Sequence, residues 1–142
     1  MTSILSIRFW VAIILTVVFL QYLPQIISPK CLFFNNNFFF GIIESNNLAI
    51  IISLVFLLIV FYYQKYITNR SAKIAIALII AGTSSNILDR LFRGGAIDYI
   101  SIWIWPIFNF ADVLIVLGII IFLSSRFLKT KKPRFFKEFF TH

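Results

Sequence analysis

All of the aspartates in this 142-residue chain lie close together in the sequence. Asp89, Asp98 and Asp112 fall within one 24-residue stretch, and no other aspartate occurs. Two carboxyl groups held near each other in a poorly hydrated place cannot both ionise readily, so they tend to share one proton. One can then take a proton from a water molecule while the other hydrogen-bonds a carbonyl group. The pattern indicates hydrolysis of a peptide bond by a pair of aspartates.

Each aspartate also has a structural interpretation. Asp112 lies three positions after Asn109, which is the spacing of a capping pair at a helix start. Asp89 is adjacent to Arg90, with which it can form a local ion pair. Asp98 follows a Gly-Gly pair and fits an ordinary turn. Ionisable groups within a membrane usually mark a functional site, so the coincidence of all three at one membrane depth favours a shared site.

Other catalytic chemistries find no support in the composition. The single histidine, His142, is the last residue, where a frayed terminus cannot hold a catalytic group. The single cysteine, Cys31, has no partner for an internal disulfide and belongs to no zinc-binding spacing. We therefore expect neither a metal nor a cofactor.

Lipid is the expected solvent for most of the chain. Hydrophobic residues make up 61% of it and charged residues only 13%, which is too apolar for a soluble domain of this size. The basic residues that give the net charge of +8 lie between long apolar runs, so we expect no nucleic-acid partner. The length predicts one membrane domain over residues 1–142.

The hydropathy pattern predicts four membrane-spanning helices, at about residues 9–27, 48–65, 72–88 and 111–128. We expect the first to be retained, since it is too long for the core of a signal peptide. The third carries small residues every four positions, at Ala77, Ala81 and Ser85, a spacing that lets helices approach closely in lipid. It is therefore predicted to be the central helix.

Lysine and arginine counts predict the orientation. With the N-terminus inside, ten basic residues are cytoplasmic, including the tail 129–142, and three are outside. Both termini are then cytoplasmic and the aspartates face the outer leaflet. The outer loops look strand-like, because Asp98–Pro106 alternates isoleucines with other residues and Phe33–Gly41 places asparagines between phenylalanines. The expected fold is an all-α membrane protein with a small β-like element on its outer face.

Three motifs around the aspartates resemble those of the lipoprotein signal peptidase family, also called signal peptidase II. The first is similar to a glycine-rich stretch ending in Asn-x-x-Asp-Arg, the second to Gly-x-Val-x-Asp-Phe, and the third to Phe-Asn-x-Ala-Asp. In this sequence they read, in order, Gly82-Thr-Ser-Ser-Asn86-Ile-Leu-Asp89-Arg90, Gly94-Gly95-Ala-Ile-Asp98-Tyr99 and Phe108-Asn109-Phe110-Ala111-Asp112. Their order and short spacing also agree with the family.

The resemblance implies an activity and a set of site residues. Asp98 and Asp112 would form the catalytic dyad, and five residues would shape the site or support substrate: Asn35, Asn86, Asp89, Arg90 and Asn109. The enzyme would remove signal peptides from diacylglyceryl-modified prolipoproteins, cleaving before the lipidated cysteine, without metal or cofactor. It would lie in the bacterial cytoplasmic (inner) membrane with its active site at the outer leaflet. We expect membrane lipids and the lipidated precursor as partners, and a monomer.

The chain departs from the family pattern in its first helix and first outer loop. The family usually has Asp-Gln-x-x-Lys where this chain has Leu20-Gln21-Tyr22-Leu23-Pro24, so both charges are lost. Asn37 and Ser85 stand where the family has glycines. Two other functions stay open: a non-catalytic relative that binds lipidated peptides, and a small proton-coupled carrier. The carrier is disfavoured because no acidic residue falls in the apolar middle of a predicted span.

Overall fold

Four helices and two short strands make up the computed structural model, which describes residues 7–27, 33–35, 45–103 and 106–130. The elements, in chain order, are α1 (Ile7–Ile27), β1 (Phe33–Asn35), α2 (Asn46–Gln64), α3 (Arg70–Arg93), β2 (Ala96–Asp98) and α4 (Phe110–Thr130). Cys31, most of the predicted hairpin 33–41 and the basic tail from residue 131 onward lie outside the described residues.

The helices begin and end at residues suited to those positions. Ser45 and Asn69 accept hydrogen bonds from backbone N–H groups at the starts of α2 and α3, at 3.4 and 3.3 Å. Helix α3 continues five residues past the predicted limit of Leu88, because charged side chains do not interrupt a helix. It ends where Gly94 adopts a left-handed backbone with φ of 82°. Its last turns therefore carry polar groups beyond the apolar stretch.

Helix α3 lies at the centre, as its small residues predicted. It contacts α1, α2 and α4, and its contact with α4 is the most extensive. The core on its surface is aliphatic and includes Ile13 of α1, Leu57 of α2 and Ile80 of α3 itself. By contrast, the outer faces of the other helices are apolar and exposed, with Leu15 at 63%, Leu58 at 68% and Ile120 at 54%. Such surfaces suit a lipid environment.

By length and composition, two helices in the described part of the chain could cross a membrane. They are α2, with a mean hydropathy of 2.1, and α3, with 1.5. The apolar stretch of α1, Phe9–Pro24, is shorter.

Two glycines set how closely α3 and α4 approach. A methyl group on Gly82 would lie 2.5 Å from the carbonyl oxygen of Ala111. One on Gly118 would lie 2.7 Å from the carbonyl oxygen of Ala75. Because backbone oxygens cannot turn away as a side chain can, any larger residue must push the helices apart. This close approach brings the start of α4 beside the last turns of α3.

The two strands form a small antiparallel sheet, which joins the connection between α1 and α2 to the connection between α3 and α4. Residue Phe33 of β1 pairs with Asp98 of β2, and Asn35 pairs with Ala96. The alternating segment after Asp98 forms no regular strand within residues 99–103, and Ile104 and Trp105 lie outside the described residues. Instead, Ile100 and Phe108 make an isolated bridge, which folds the segment back toward the start of α4.

We expect Gly118→Ala to lower stability by about 1–3 kcal/mol, because the added methyl group overpacks the α3–α4 contact. Thermal unfolding of the detergent-solubilised protein measures this as a lower midpoint. The matched control is Val116→Ile, which adds one methyl group at a position of the same helix that is 55% exposed. Equal midpoints for the two variants would show that the helices are not in close contact at Gly118.

Candidate active site

The predicted site residues come from four elements that meet at one end of the helix bundle. The last turns of α3 carry Asn86, Asp89 and Arg90, while Asp98 ends β2 and Asn35 ends β1. Asn109 immediately precedes α4, and Asp112 lies in its first turn. Most of these side chains are shielded from solvent, since Asp98 and Asn109 are each only 3% exposed.

Asn109 connects the two aspartates of the predicted dyad. Its side-chain Nδ2 donates to Asp98 Oδ1 at 2.9 Å and to Asn86 Oδ1 at 3.0 Å. Asn86 Nδ2 in turn donates to Asp112 Oδ1 at 2.8 Å. One continuous hydrogen-bonded network thus holds the buried carboxyl group of Asp98 and the partly buried one of Asp112.

Asp112 has a second role at the start of α4. Its Oδ2 accepts the backbone N–H of Asn109 at 3.2 Å, and Asn109 Oδ1 accepts the backbone N–H of Asp112 at 3.0 Å. This reciprocal pair is a capping box, as the Asn109–Asp112 spacing predicted. The structural and the functional interpretations of Asp112 are therefore compatible, because each uses a different carboxylate oxygen.

Asp98 is the more buried of the two carboxyl groups, and its environment favours the protonated form. Burial raises the pKa of Asp98 to about 6, and the negative charge of Asp112 adds to the increase. The hydrogen bonds from Asn35 and Asn109 and the positive charge of Arg90 lower this pKa and offset part of the increase. Asn35 Nδ2 donates to Asp98 Oδ2 at 2.7 Å, so both oxygens of the carboxyl group accept a hydrogen bond.

The prediction that Asp89 pairs with Arg90 is wrong. Arg93 Nη1 binds Asp89 Oδ1 at 2.6 Å, one helical turn away. Consecutive residues point in different directions around a helix, whereas residues four apart lie on the same face. Arg90 is 6% exposed and its Nη1 donates to the carbonyl oxygen of Asn86 at 3.4 Å. Its charge acts on Asp98, so it belongs to the dyad's surroundings.

Sequence reasoning missed a second polar network, which joins α1 to α3. Gln21 Nε2 donates to the carbonyl and hydroxyl oxygens of Ser85 at 3.0 and 3.1 Å. Arg93 Nη2 donates to the backbone oxygen of Gln21 at 3.2 Å. Pro24 lies inside α1 one turn further on, where it has no backbone N–H to donate to the preceding turn. A glutamine in an apolar span is the signal that could have revealed this network.

A small, partly open cavity of about 10 Å³, enough for about one water molecule, lies beside the dyad. Its walls include the apolar residues Leu20, Pro24 and Ile97 and the polar residues Asp89, Tyr99 and Asn109. Asp98 and Asp112 do not line it themselves, but both are hydrogen-bonded to Asn109, which does.

Comparison with known proteins identifies the family. The family model described as signal peptidase (SPase) II matches residues 5–128. The chain belongs to the signal peptidase II family. The three motifs around the aspartates, on which the resemblance rested, all fall within the matched range.

Individual relatives of the signal peptidase II family match over shorter segments. The lipoprotein signal peptidase of Serratia marcescens is 43% identical over 67 residues, 44% of this chain and 39% of that protein. The lipoprotein signal peptidase of Borreliella afzelii is 40% identical over 73 residues, 45% of this chain and 43% of that protein. The matched part of the chain thus spans about two fifths of the length of these relatives.

Two solved structures, both described as bacterial membrane enzymes, share the fold. One superimposes with a TM-score of 0.78 at 24% identity, covering 89% of this chain and 92% of the other. The second has a TM-score of 0.70 at 25% identity, covering 83% and 91%. Together with the family match, they support an integral membrane protein.

The buried Asp98 makes the stability of the protein depend on pH. Its pKa is about 6 in the folded chain against an ordinary 3.8, so the folded chain holds this proton more tightly than the unfolded chain does. We expect the contribution of Asp98 to stability to be fully present below pH about 4 and to be lost as the pH rises through about 6. The loss attributable to Asp98 is on the order of 3 kcal/mol.

Thermal midpoints of the parent and of Asp98→Asn, recorded between pH about 4 and 7, measure this effect. The asparagine cannot ionise, so the variant should lose less stability over this range than the parent does. Parallel curves for the two proteins would contradict the raised pKa.

Replacing Arg93 should destabilise the protein, because Asp89 is left as a buried charge without its ion-pair partner. We expect Arg93→Met to cost about 1–3 kcal/mol, and much less when Asp89→Asn is present as well. A double-mutant cycle on thermal or denaturant unfolding measures this coupling. The control is Arg70→Met at the exposed start of the same helix, which should be nearly neutral. Additive losses in the cycle would disprove the pairing.

Proposed function

We propose that this chain is a membrane aspartic endopeptidase that removes signal peptides from diacylglyceryl-modified prolipoproteins, cleaving before the lipidated cysteine. The observation that carries the proposal is the Asn109 network, which hydrogen-bonds the buried Asp98 and the partly buried Asp112. Membership of the signal peptidase II family supports the same activity. The relatives that match are named lipoprotein signal peptidases.

In the proposed mechanism the two aspartates divide the work of a general acid and a general base. Asp98 is the more buried and has the raised pKa, so it holds the proton that the pair shares. Asp112 is only partly buried, so it is the carboxylate that a water molecule reaches. Bound substrate that excludes water from the site would favour the protonated form of Asp98 further.

Hydrolysis then proceeds by proton transfers between the pair and the peptide. Asp112 takes a proton from the water as its oxygen bonds to the scissile carbonyl carbon, and Asp98 donates its proton to the carbonyl oxygen. The tetrahedral diol that results collapses when the C–N bond breaks and the leaving nitrogen accepts the proton held by Asp112. Asp98 recovers a proton from a diol hydroxyl. One water is consumed, and one carboxyl and one amine are produced.

The proposed setting is the bacterial cytoplasmic (inner) membrane. All four helices would span it with both termini in the cytoplasm, which puts the dyad at the outer leaflet. The partners would be membrane lipids and the lipidated precursor, and the enzyme would act as a monomer. Asn35 would contribute to substrate binding from β1, in addition to its hydrogen bond to Asp98.

Cleavage of a lipidated prolipoprotein by the purified protein in lipid or detergent tests the proposal. We expect Asp98→Asn and Asp112→Asn each to reduce the rate by at least about 100-fold, since each removes an essential proton donor or acceptor. Glu138→Gln makes the same chemical change in the C-terminal tail and serves as the matched control. The rate is read from the shift of the precursor band on a gel.

An unlipidated precursor is the substrate control, and it should not be cut. Cleavage at the parental rate by either aspartate variant would reject the dyad. Binding of the lipidated precursor without cleavage by the parent would identify a non-catalytic relative instead.

A further inference from the structure

Tyr99 follows the dyad residue Asp98 directly and is held at two points. Its backbone N–H donates to the carbonyl oxygen of Phe108 at 3.1 Å. Its hydroxyl oxygen accepts the backbone N–H of Phe110 at 3.3 Å. Phe110 is the first residue of α4 and follows Asn109, so the Tyr99 hydroxyl lies next to the residue that joins the two aspartates.

The hydroxyl has a proton to donate. A phenol hydroxyl can donate one hydrogen bond and can also accept one. Here the oxygen accepts the hydrogen bond from the Phe110 N–H. Within the residues that the structure describes, the hydroxyl makes no second hydrogen bond. The N–H at the start of α4 also polarises the O–H group, because hydrogen bonds in a chain strengthen one another.

The hydroxyl is within reach of the electrostatic influence of the site's carboxyl groups. Burial raises the pKa of Tyr99, and the charges of Asp89, Asp112 and Asp98 add to the increase, which outweighs the lowering by the hydrogen bond from Phe110. The group therefore stays protonated, and remains a donor, throughout the neutral range. Tyr99 also lines the cavity beside the dyad, together with Asn109 and Asp89.

We propose that the Tyr99 hydroxyl is a further catalytic group, which donates a hydrogen bond to the oxygen of the scissile carbonyl as water adds to it. The inference rests on the proposed peptidase function. Negative charge grows on that oxygen while the C–O bond to water forms, and a fixed donor stabilises it more than it stabilises the uncharged ground state. Tyr99 stays neutral throughout, since the proton transfers belong to Asp98 and Asp112.

A purely structural role would be to cap α4. The Phe110 N–H is one of the backbone donors that a helix start leaves without an intrahelical partner, and the hydroxyl satisfies it. Loss of this contact would lower stability without changing the rate of chemistry in the folded enzyme. The two roles are therefore separable by kinetics.

Steady-state cleavage of a lipidated prolipoprotein by Tyr99→Phe tests the inference. We expect kcat to fall about 10- to 100-fold with KM changed by less than about 2-fold, because the contact is made mainly in the transition state. Tyr63→Phe removes the same hydroxyl from a side chain that is 58% exposed at the far end of α2, and should behave as the parent. An unchanged kcat, or a change in KM alone, would overturn the inference.

Fluorotyrosine at position 99 keeps the hydroxyl and its contact with Phe110. It therefore tests the catalytic role of the hydroxyl even where Tyr99→Phe folds poorly. Fluorination lowers the pKa of a phenol, so the O–H group is lost at a lower pH. We expect near-parental kcat at neutral pH and an alkaline decline that moves to lower pH as fluorine atoms are added. A pH profile that does not move would overturn the inference. An inactive parent would instead refute the proposed function itself.

Discussion

Asn109 occupies the point where helix α4 begins, and its hydrogen bonds hold the polar end of the molecule together. Its amide nitrogen reaches Asp98 and Asn86, its amide oxygen accepts the Asp112 N–H, and its backbone N–H donates to Asp112. Because Asn109 is only 3% exposed, bulk water cannot replace a hydrogen-bond partner that one of these groups loses. The position of one side chain therefore sets the relation between the two carboxyl groups.

This arrangement depends on the packing of α3 against α4. Gly82 and Gly118 let the two backbones approach to a distance at which no side chain fits. The last turns of α3 and the first turn of α4 then lie beside each other, and Asn86 can reach Asp112. A small feature in the apolar part of the bundle thus determines the geometry of the polar part.

The first helix is joined to the site without the charged pair that the family usually carries there. Gln21 binds Ser85, and Arg93 connects the backbone of Gln21 to Asp89. Ser85 replaces the glycine of the family pattern, and its hydroxyl and backbone oxygens are what Gln21 binds. One departure from the family pattern, Ser85 in α3, therefore contacts Gln21, which matches the glutamine of the family's first-helix pattern.

Some features of this protein follow from local sequence alone. Apolar runs of fixed length predicted four helices close to those observed, because helix formation in such segments depends mainly on neighbouring residues. The Asn109–Asp112 capping box was predictable for the same reason, since both partners belong to one helical turn. The three motifs around the aspartates also indicate the family by sequence alone.

Other features were decided only by the tertiary structure. The β1–β2 pairing and the Gln21–Ser85 contact join residues that are far apart in the chain. The contact of the Tyr99 hydroxyl with Phe110 depends on how the loop between them folds back. Even the choice of Arg93 over Arg90 as the partner of Asp89 depends on side-chain direction, which adjacency in the sequence does not reveal. Sequence therefore determined which groups are present and which helices carry them. Their hydrogen-bond partners and the burial that raises the pKa of Asp98 arise only when the helices pack, because both depend on distances through space.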